Sequence, residues 1–577
     1  MKHLLTVAII LMSTLLSTVA AKPKTTTIKI IQTSDIHGNF FPYDFINRCP
    51  GSGSLARVHA YVEEQRKTYG ENVILLDNGD ILQGQPSVYY YNFMNTEAPH
   101  LCAEMLNYMG YSVGNMGNHD IETGHDVYDR WVKQCKFPIL GANVVDTATG
   151  KPYLPPYTTI KRDGIKITIL GLITPAIPAW LPENLWSGLR FEDMEECASK
   201  WVPIIKKTEK PDILIGLFHS GRDASRKTGD WKENASLEVA KNIPGFDIVL
   251  MGHDHQTFCK HVPTANGDYV LAANPGGNGN YITDITITVT KEKPVGNINF
   301  DAQVVSIKDI EPSQAFMKHF EAQYNEVEQF VSQKIGTITE TIETRPAYFG
   351  SSAFIDFIHT LQLSISGAEI SFAAPLSFDA TIKKGDIFMS DMFNLYKYEN
   401  MLYVMNLTGQ EIKDYLEYSY SIWTSQMTSP DDNLLLLRSK PTGEDKSRSV
   451  FAFPSYNFDS AAGIIYTVDV TKPKGEKINI KSLADGKPFD LQRTYRVALN
   501  SYRGNGGGEL LTKGAGIPQN ELTKRIVSAT NRDLRYYLME YIKQQGTLSP
   551  RALNQWQFIP EEWTTKAAER DYNLLFP

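Results

Sequence analysis

Ile248-Val249-Leu250-Met251-Gly252-His253-Asp254-His255 joins four apolar residues to a glycine and two histidines one residue apart. A short, branched apolar run that stops abruptly reads as a buried strand. Alternation along an extended chain puts His253 and His255 on one side. Working outward, the same figure recurs. The apolar run at 28–31 leads to Asp35-Ile36-His37-Gly38, that at 73–76 to Gly79-Asp80, and that at 213–218 to His219-Ser220-Gly221. Gly117-Asn118-His119-Asp120 supplies another polar turn, and 165–172 another apolar run. The segments between them suit helices, so the first half reads as an α/β layered domain. Ligands of such sheets gather beyond the carboxyl ends of the strands, so these turns are where chemistry is expected. Singly, each has a plainer reading: Asp-x-His as a helix cap, Gly-Asn-His-Asp as a tight bend. Together they offer carboxylate, amide oxygen and imidazole, a set suited to Zn, Mn, Fe or Co rather than Ca.

The chain has 577 residues, too many for one core, and its 42% apolar and 21% charged content is that of a folded protein. A formal charge of −8 argues against a partner that is a nucleic-acid polymer, while small nucleotides remain open to a local site. Lys2 and His3 precede an apolar run at 4–16, and Ser17, Thr18, Val19, Ala20 and Ala21 follow. That pattern predicts a cleavable export signal over 1–21, hence a periplasmic or extracellular protein; a retained anchor is the rival reading. No later stretch is apolar enough to span a membrane. Five cysteines, with no CxxC pair, read mostly as buried free thiols, although Cys102 and Cys135 are a pair that an oxidising compartment can close.

Phe316, Phe320, Tyr324, Val327 and Val331 make one apolar stripe at helical spacing, bounded by Pro312 and Gly336. It predicts a connecting helix over 312–336 between a domain at 26–310 and a second, α+β unit at 340–577. Helices at 351–366 and 409–420 and strands at 464–470 and 495–500 are expected in the second unit. The loop 428–449, rich in Asp, Lys, Ser and Pro, reads as a solvated insertion.

The five polar segments, in this order across Asp35 to His255, resemble the signature of the calcineurin-like metallophosphoesterases. The stretch Asp77-Asn78-Gly79-Asp80-Ile81-Leu82-Gln83-Gly84 is similar to the nucleotidase branch. So are Leu395-Tyr396-Lys397-Tyr398-Glu399-Asn400, Tyr456-Asn457-Phe458-Asp459 and Asn500-Ser501-Tyr502-Arg503-Gly504 in the second half. The likeness covers nearly the whole chain beyond residue 21 and is nearest to the branch that acts on 2',3'-cyclic and 3'-nucleotides. It implies a four-layer αββα metallophosphoesterase domain, a connecting helix and a C-terminal α+β substrate-binding domain. By the same resemblance Asp35, His37, Asp80 and His255 hold one divalent ion, and Asp80, Asn118, His219 and His253 a second, with Asp80 bridging. Two such ions roughly 3.5 Å apart lower the proton affinity of a shared water and clamp a phosphate through in-line displacement.

His119 is then the residue that donates to the phosphate or leaving oxygen. Where the family's 5'-nucleotidases place an aspartate to orient this histidine, the chain has Glu122, with Asp120 as a rival for that role. A second departure is Ala373-Ala374-Pro375-Leu376-Ser377-Phe378, which lacks the arginines with which those enzymes grip substrate. This favours the cyclic and 3'-nucleotide branch over a 5'-nucleotidase or sugar-nucleotide hydrolase on the same scaffold. Tyr398 and Tyr502 match the pair that sandwiches the base, with Asn400 beside them. A non-catalytic nucleotide-binding surface protein is the reading from another class, and the complete ligand set argues against it.

Overall fold

The structure is a computed structural model that describes residues 24–225, 227–291, 297–439 and 449–577. The export signal expected over 1–21 and residues 440–448 of the 428–449 loop lie outside the described residues. Each apolar run is a strand: Lys24–Thr33, Val73–Asp77, Ile165–Ile173, Ile213–His219 and Ile248–Met251. They form the parallel centres of two six-stranded sheets. In the first, Lys24–Thr33, Val73–Asp77, Val113–Asn115 and Ile139–Leu140 run side by side, with Tyr281–Lys291 and Ile298–Ser306 completing one edge antiparallel. In the second, Ile165–Ile173, Ile213–His219, Ile248–Met251 and Tyr269–Asn274 are parallel, with Tyr157–Arg162 and Phe258–Pro263 as antiparallel edges.

Side-chain alternation explains why the sheets stack. Ile28, Ile30, Ile74 and Leu76 of the first meet Ile167, Ile169, Ile215 and Leu217 of the second in one dry layer. Their neighbours Ile31 and Leu75 face the other way, onto Leu55–Tyr69, Leu101–Met109 and His125–Gln134. Met194–Thr208 and Ser236–Asn242 cover Leu172, Leu214 and Val249 on the far side. Both faces of each sheet are buried, which is why the strands read as unbroken apolar runs. Each fully buried Ile or Leu contributes roughly 1.5–3 kcal/mol. The result is the expected αββα stack, with every parallel strand ending at the same rim.

The connecting stretch corrects the expectation of one helix. It is two, Gln314–His319 and Glu321–Val331, broken at Phe320, and Lys334–Ile338 is already a strand. That strand pairs with Gly385–Phe388 and Thr547–Leu548. It packs so tightly that a Cβ at Gly336 would lie 2.6 Å from Ile542. The stripe itself is real: Phe316, Phe320, Val327 and Val331 are buried, and Tyr324 stands edge-on to Phe41 at 5.3 Å.

In the second half Met401–Thr408, Thr494–Asn500 and Ile370–Ala373 centre a five-stranded sheet flanked by Ala353–Ser366 and Gly409–Trp423. Thr408 and Glu411 form a capping box that fixes where the latter helix starts. The described part of the 428–449 loop, 428–439, is less solvated than expected. Leu434 and Leu435 are fully buried, and the flanking Leu437–Ser439 and Ser449–Phe451 pair as a hairpin. All five cysteines are free thiols, Cys102 and Cys135 included. Among the described residues no helix is long and apolar enough to cross a membrane.

Candidate metal centre

The rim loops are short and bent. Asp35, His37, Asp80, His253 and His255 all have left-handed backbone, with φ between 48° and 70°. Such non-glycine conformations cost on the order of 1–3 kcal/mol each and persist only where the surroundings impose them. Here the loops hold one another: the Asp35 amide donates to the Gly79 carbonyl, the His37 amide to the Asp80 carbonyl, and the His253 amide to the Asp35 carboxylate. The glycines before the ligands allow this contact. A Cβ on Gly117 would lie 2.2 Å from Asp80 Oδ1, and one on Gly252 2.2 Å from Ser34 Oγ.

Two groups of donors result, Asp35 with His37 and His255, and Asp80 with His219 and His253, each set of ligand atoms within 4.8 Å of one another. His37 Nε2 lies 3.1 Å from His255 Nε2, and His255 Nε2 lies 3.2 Å from Asp35 Oδ1. His219 Nε2 stands 3.1 Å from both Asn118 Oδ1 and Asp80 Oδ2, while His37 Nε2 is 4.0 Å from the same Asp80 oxygen. Asp80 Oδ2 therefore lies between the groups, buried and without a hydrogen bond, whereas Oδ1 accepts from the His119 amide.

The far nitrogens are spoken for. His37 Nδ1 faces the Gln83 carbonyl at 3.1 Å, His219 Nδ1 the Asn78 carbonyl at 2.6 Å, and His253 Nε2 the Glu233 carboxylate at 3.0 Å. A carbonyl acceptor fixes the proton on that side of the ring and turns the other nitrogen's lone pair inward. Acceptors converging on one buried, unsatisfied carboxylate oxygen are a donor set that divalent cations fit.

Charge agrees with this reading. Burial opposes the Asp35 anion, but the His255 contact outweighs it and holds the carboxyl at about 2. Burial and His255 together push His37 down to about 3, so its ring is neutral. His219 is also disfavoured as a cation by burial, yet Asp80 overrides this and raises it to about 10. A divalent cation held by these groups would supply the positive charge that the buried carboxylates favour and would bind the neutral form of each ring.

His119 is the second residue of the short helix Asn118–Ile121 and lines a cavity at the rim. Its Nδ1 meets Glu122 Oε2 at 2.5 Å. Burial works against its charge, but Asp80 and Glu122 raise it to about 9. Asp120 does not share this task, and here the expectation is corrected. Its two oxygens accept from the amides of Asp80, Ile81, Leu82 and Gly117, so it is a buried brace beneath the Asp80 loop.

The cavity runs from His119 to the second half, where Tyr398, Asn400 and Tyr502 line it. Tyr456 joins them. Its ring is nearly perpendicular to Tyr398 (82°, 6.4 Å) and to Tyr502 (83°, 6.3 Å), an end wall between two side walls. The fully buried Arg503 ties this corner together. It pairs with Asp459 and donates to the backbone carbonyls of Tyr456 and Gly507. Leu376, rather than an arginine, faces the cavity from the 373–378 stretch.

The structure thus brings together every residue expected at the site except that Asp120 serves from beneath. Asn78, Gln83, Tyr456, Asp459 and Arg503 lay inside recognisable sequence stretches but carry roles that only packing reveals. Glu233 belongs to no motif.

Comparison with known proteins agrees with this architecture. Residues 28–257 match the calcineurin-like phosphoesterase family, and residues 334–513 match the 5'-nucleotidase C-terminal domain. A 2',3'-cyclic-nucleotide 2'-phosphodiesterase/3'-nucleotidase of Yersinia enterocolitica is 28% identical over 96% of this chain and 92% of its own. A 5'-nucleotidase of Vibrio cholerae is 24% identical over 84% of this chain and 86% of its own. Among solved structures, the 5'-nucleotidase precursor of Thermus thermophilus shares the fold, with a TM-score of 0.62 and 20% identity over 93% of this chain and all of that one. The chain thus joins a calcineurin-like phosphoesterase domain to a 5'-nucleotidase C-terminal domain, the make-up of a hydrolase of phosphate esters.

Proposed function

We propose that the chain hydrolyses nucleotide phosphate esters at a two-cation centre, with 2',3'-cyclic and 3'-nucleotides preferred over 5'-nucleotides. The observation that carries the reading is a single cavity with His119 and Asn118 at one end and three tyrosines at the other. When bound, two divalent cations of the Zn, Mn, Fe or Co kind supply Lewis-acid polarisation of the phosphoryl group and an activated water. Asp35, His37 and His255 would hold one, Asn118, His219 and His253 the other, and Asp80 both. His119 carries a proton toward the leaving oxygen, its ring oriented by Glu122. Tyr398 and Tyr502 take the base between their faces, Asn400 lies alongside, and the stacking tolerates any base.

Leu376 in place of an arginine supports the cyclic and 3' preference, as does the similarity to the Yersinia relative. The relative from Vibrio cholerae favours a second reading, a 5'-nucleotidase. A rate panel decides. With 2',3'-cyclic AMP, 3'-AMP, 5'-AMP and a sugar nucleotide, the first two should lead in kcat/KM. A tenfold lead for 5'-AMP, about 1.4 kcal/mol in the transition state, selects the second reading.

Residues 26–310 are read as the metal-bearing unit and 340–577 as the substrate-bearing unit. Export to the periplasm is part of the proposal, supported by the basic start and apolar run over 2–21. Amino-terminal sequencing of the protein purified from its host tests it; a mature chain that still begins at Met1 refutes cleavage.

A further inference from the structure

Of the five apolar runs that end at the rim, only Ile165–Ile173 is followed by no metal-ligand residue. Its loop continues Thr174-Pro175-Ala176-Ile177-Pro178-Ala179-Trp180-Leu181. It is nonetheless tied to the centre, because the Thr174 amide donates to the His219 carbonyl. The loop ends with the half-buried Trp180 ring 5.7 Å from the ring of His253 and 30° from parallel to it. Trp186 Nε1 donates to the Leu181 carbonyl and fixes the turn. Trp180 and Leu181, with the strand residues Lys227 and Thr228, line the same cavity as the tyrosines, but from the first half of the chain. The cavity thus has two aromatic walls, one on each half, with Asn118 and His119 also in its lining.

We propose that this second wall is a subsite for the other ester group of a phosphodiester, a flat aromatic or heterocyclic alcohol stacked on Trp180. The assignment rests on the two-cation phosphoesterase reading and makes Trp180 the residue that sets how well a diester competes with a cyclic nucleotide. The reaction is the same hydrolysis: a P–O bond to one alcohol breaks, water oxygen joins phosphorus, and the departing alkoxide takes a proton. A monoester or a cyclic nucleotide has no second group and leaves the Trp180 wall unused. Trp is the best-suited residue for such a wall, since it presents a wide apolar face at little conformational cost.

The test compares bis-p-nitrophenyl phosphate with 2',3'-cyclic AMP in the metal-loaded full chain. Trp180→Ala should lower the ratio of kcat/KM for the diester to that for the cyclic nucleotide by at least about fivefold, chiefly through KM, the lower end of what stacking is worth. Trp180→Phe, which keeps a ring, should recover most of the ratio. Metal content is measured alongside by plasma emission. An unchanged ratio overturns the subsite, and so does an equal fall for both substrates with metal lost, which would make Trp180 only a support for His253. A wild-type protein that turns over neither substrate with both metals bound would break the phosphoesterase reading itself, and the subsite with it.

Discussion

The two ends of the cavity are built by opposite means. At the metal end, five loops from one domain supply polar residues, and in three of them Asp35, His37, Asp80, His253 and His255 are bent into left-handed conformations. At the tyrosine end, flat rings stand on ordinary backbone and are positioned by a buried ion pair, Arg503 with Asp459. One end stores its precision in strain, the other in packing. Strained loops can be held only if their neighbours fit them atom by atom, which is why glycines crowd the ligands. Rings need only a firm back wall.

The contrast can be broken most severely at Asp80. Asp80→Asn should lose both cations and lower kcat by on the order of 10³ or more, since several kcal/mol of charge stabilisation go with them. Metal stoichiometry and kcat measured together check it, and full activity in stripped protein would end the two-cation mechanism. Next comes His119→Ala, expected to lower kcat about 10²- to 10⁴-fold with both metals retained. Loss of one metal in that variant would make His119 a ligand. Glu122→Gln separates orientation from proton transfer: a milder fall in kcat is expected, and an unchanged rate would remove Glu122 from the mechanism.

On the tyrosine side, Arg503→Met leaves Asp459 buried and unpaired, a change that costs about 3–5 kcal/mol of stability. Its melting temperature should fall well before any effect on metal content; if metal is lost first, the two ends are not separate. Glu233→Gln should weaken cation affinity by roughly 10- to 100-fold through His253, readable by titration with a chelator. The smallest effect is expected for Tyr398→Ala or Tyr502→Ala, about 1–3 kcal/mol in KM, similar for every base. A base-dependent loss would show hydrogen-bond readout instead of stacking.

The metal end was also the more legible in sequence, for a physical reason. Strand period, a glycine and a ligand residue occupy consecutive positions, so Gly-His-x-His or Gly-Asn-His announces itself locally. The αββα stack followed from the same runs. Asp120 misled because a carboxylate next to a histidine looks the same in sequence whether it faces the ring or the backbone beneath. Tyr456 stands in a stretch that the resemblance singles out, but its role does not show there, since its value lies in the angle it makes with two other rings. Glu233 reaches His253 only through the fold. The break at Phe320 also escaped, because an apolar stripe records which face is buried and says nothing of where a helix is interrupted.

The stripe has one more consequence. Phe316, Phe320, Val327 and Val331 belong to the same continuous apolar cluster as Leu75 in the first half and Phe393 and Leu538 in the second. Across it, Tyr89 donates to Asp533 and lies under the guanidinium of Arg535, which also covers Phe393. Matches to two separate families suggest interchangeable modules, yet this seam is shared hydrophobic interior. A first half grafted onto a foreign partner would carry Tyr89 and its neighbours into water, at roughly 25 cal/mol for every Å² of apolar surface left bare. Recombination between relatives must therefore exchange both sides of the seam together, or neither.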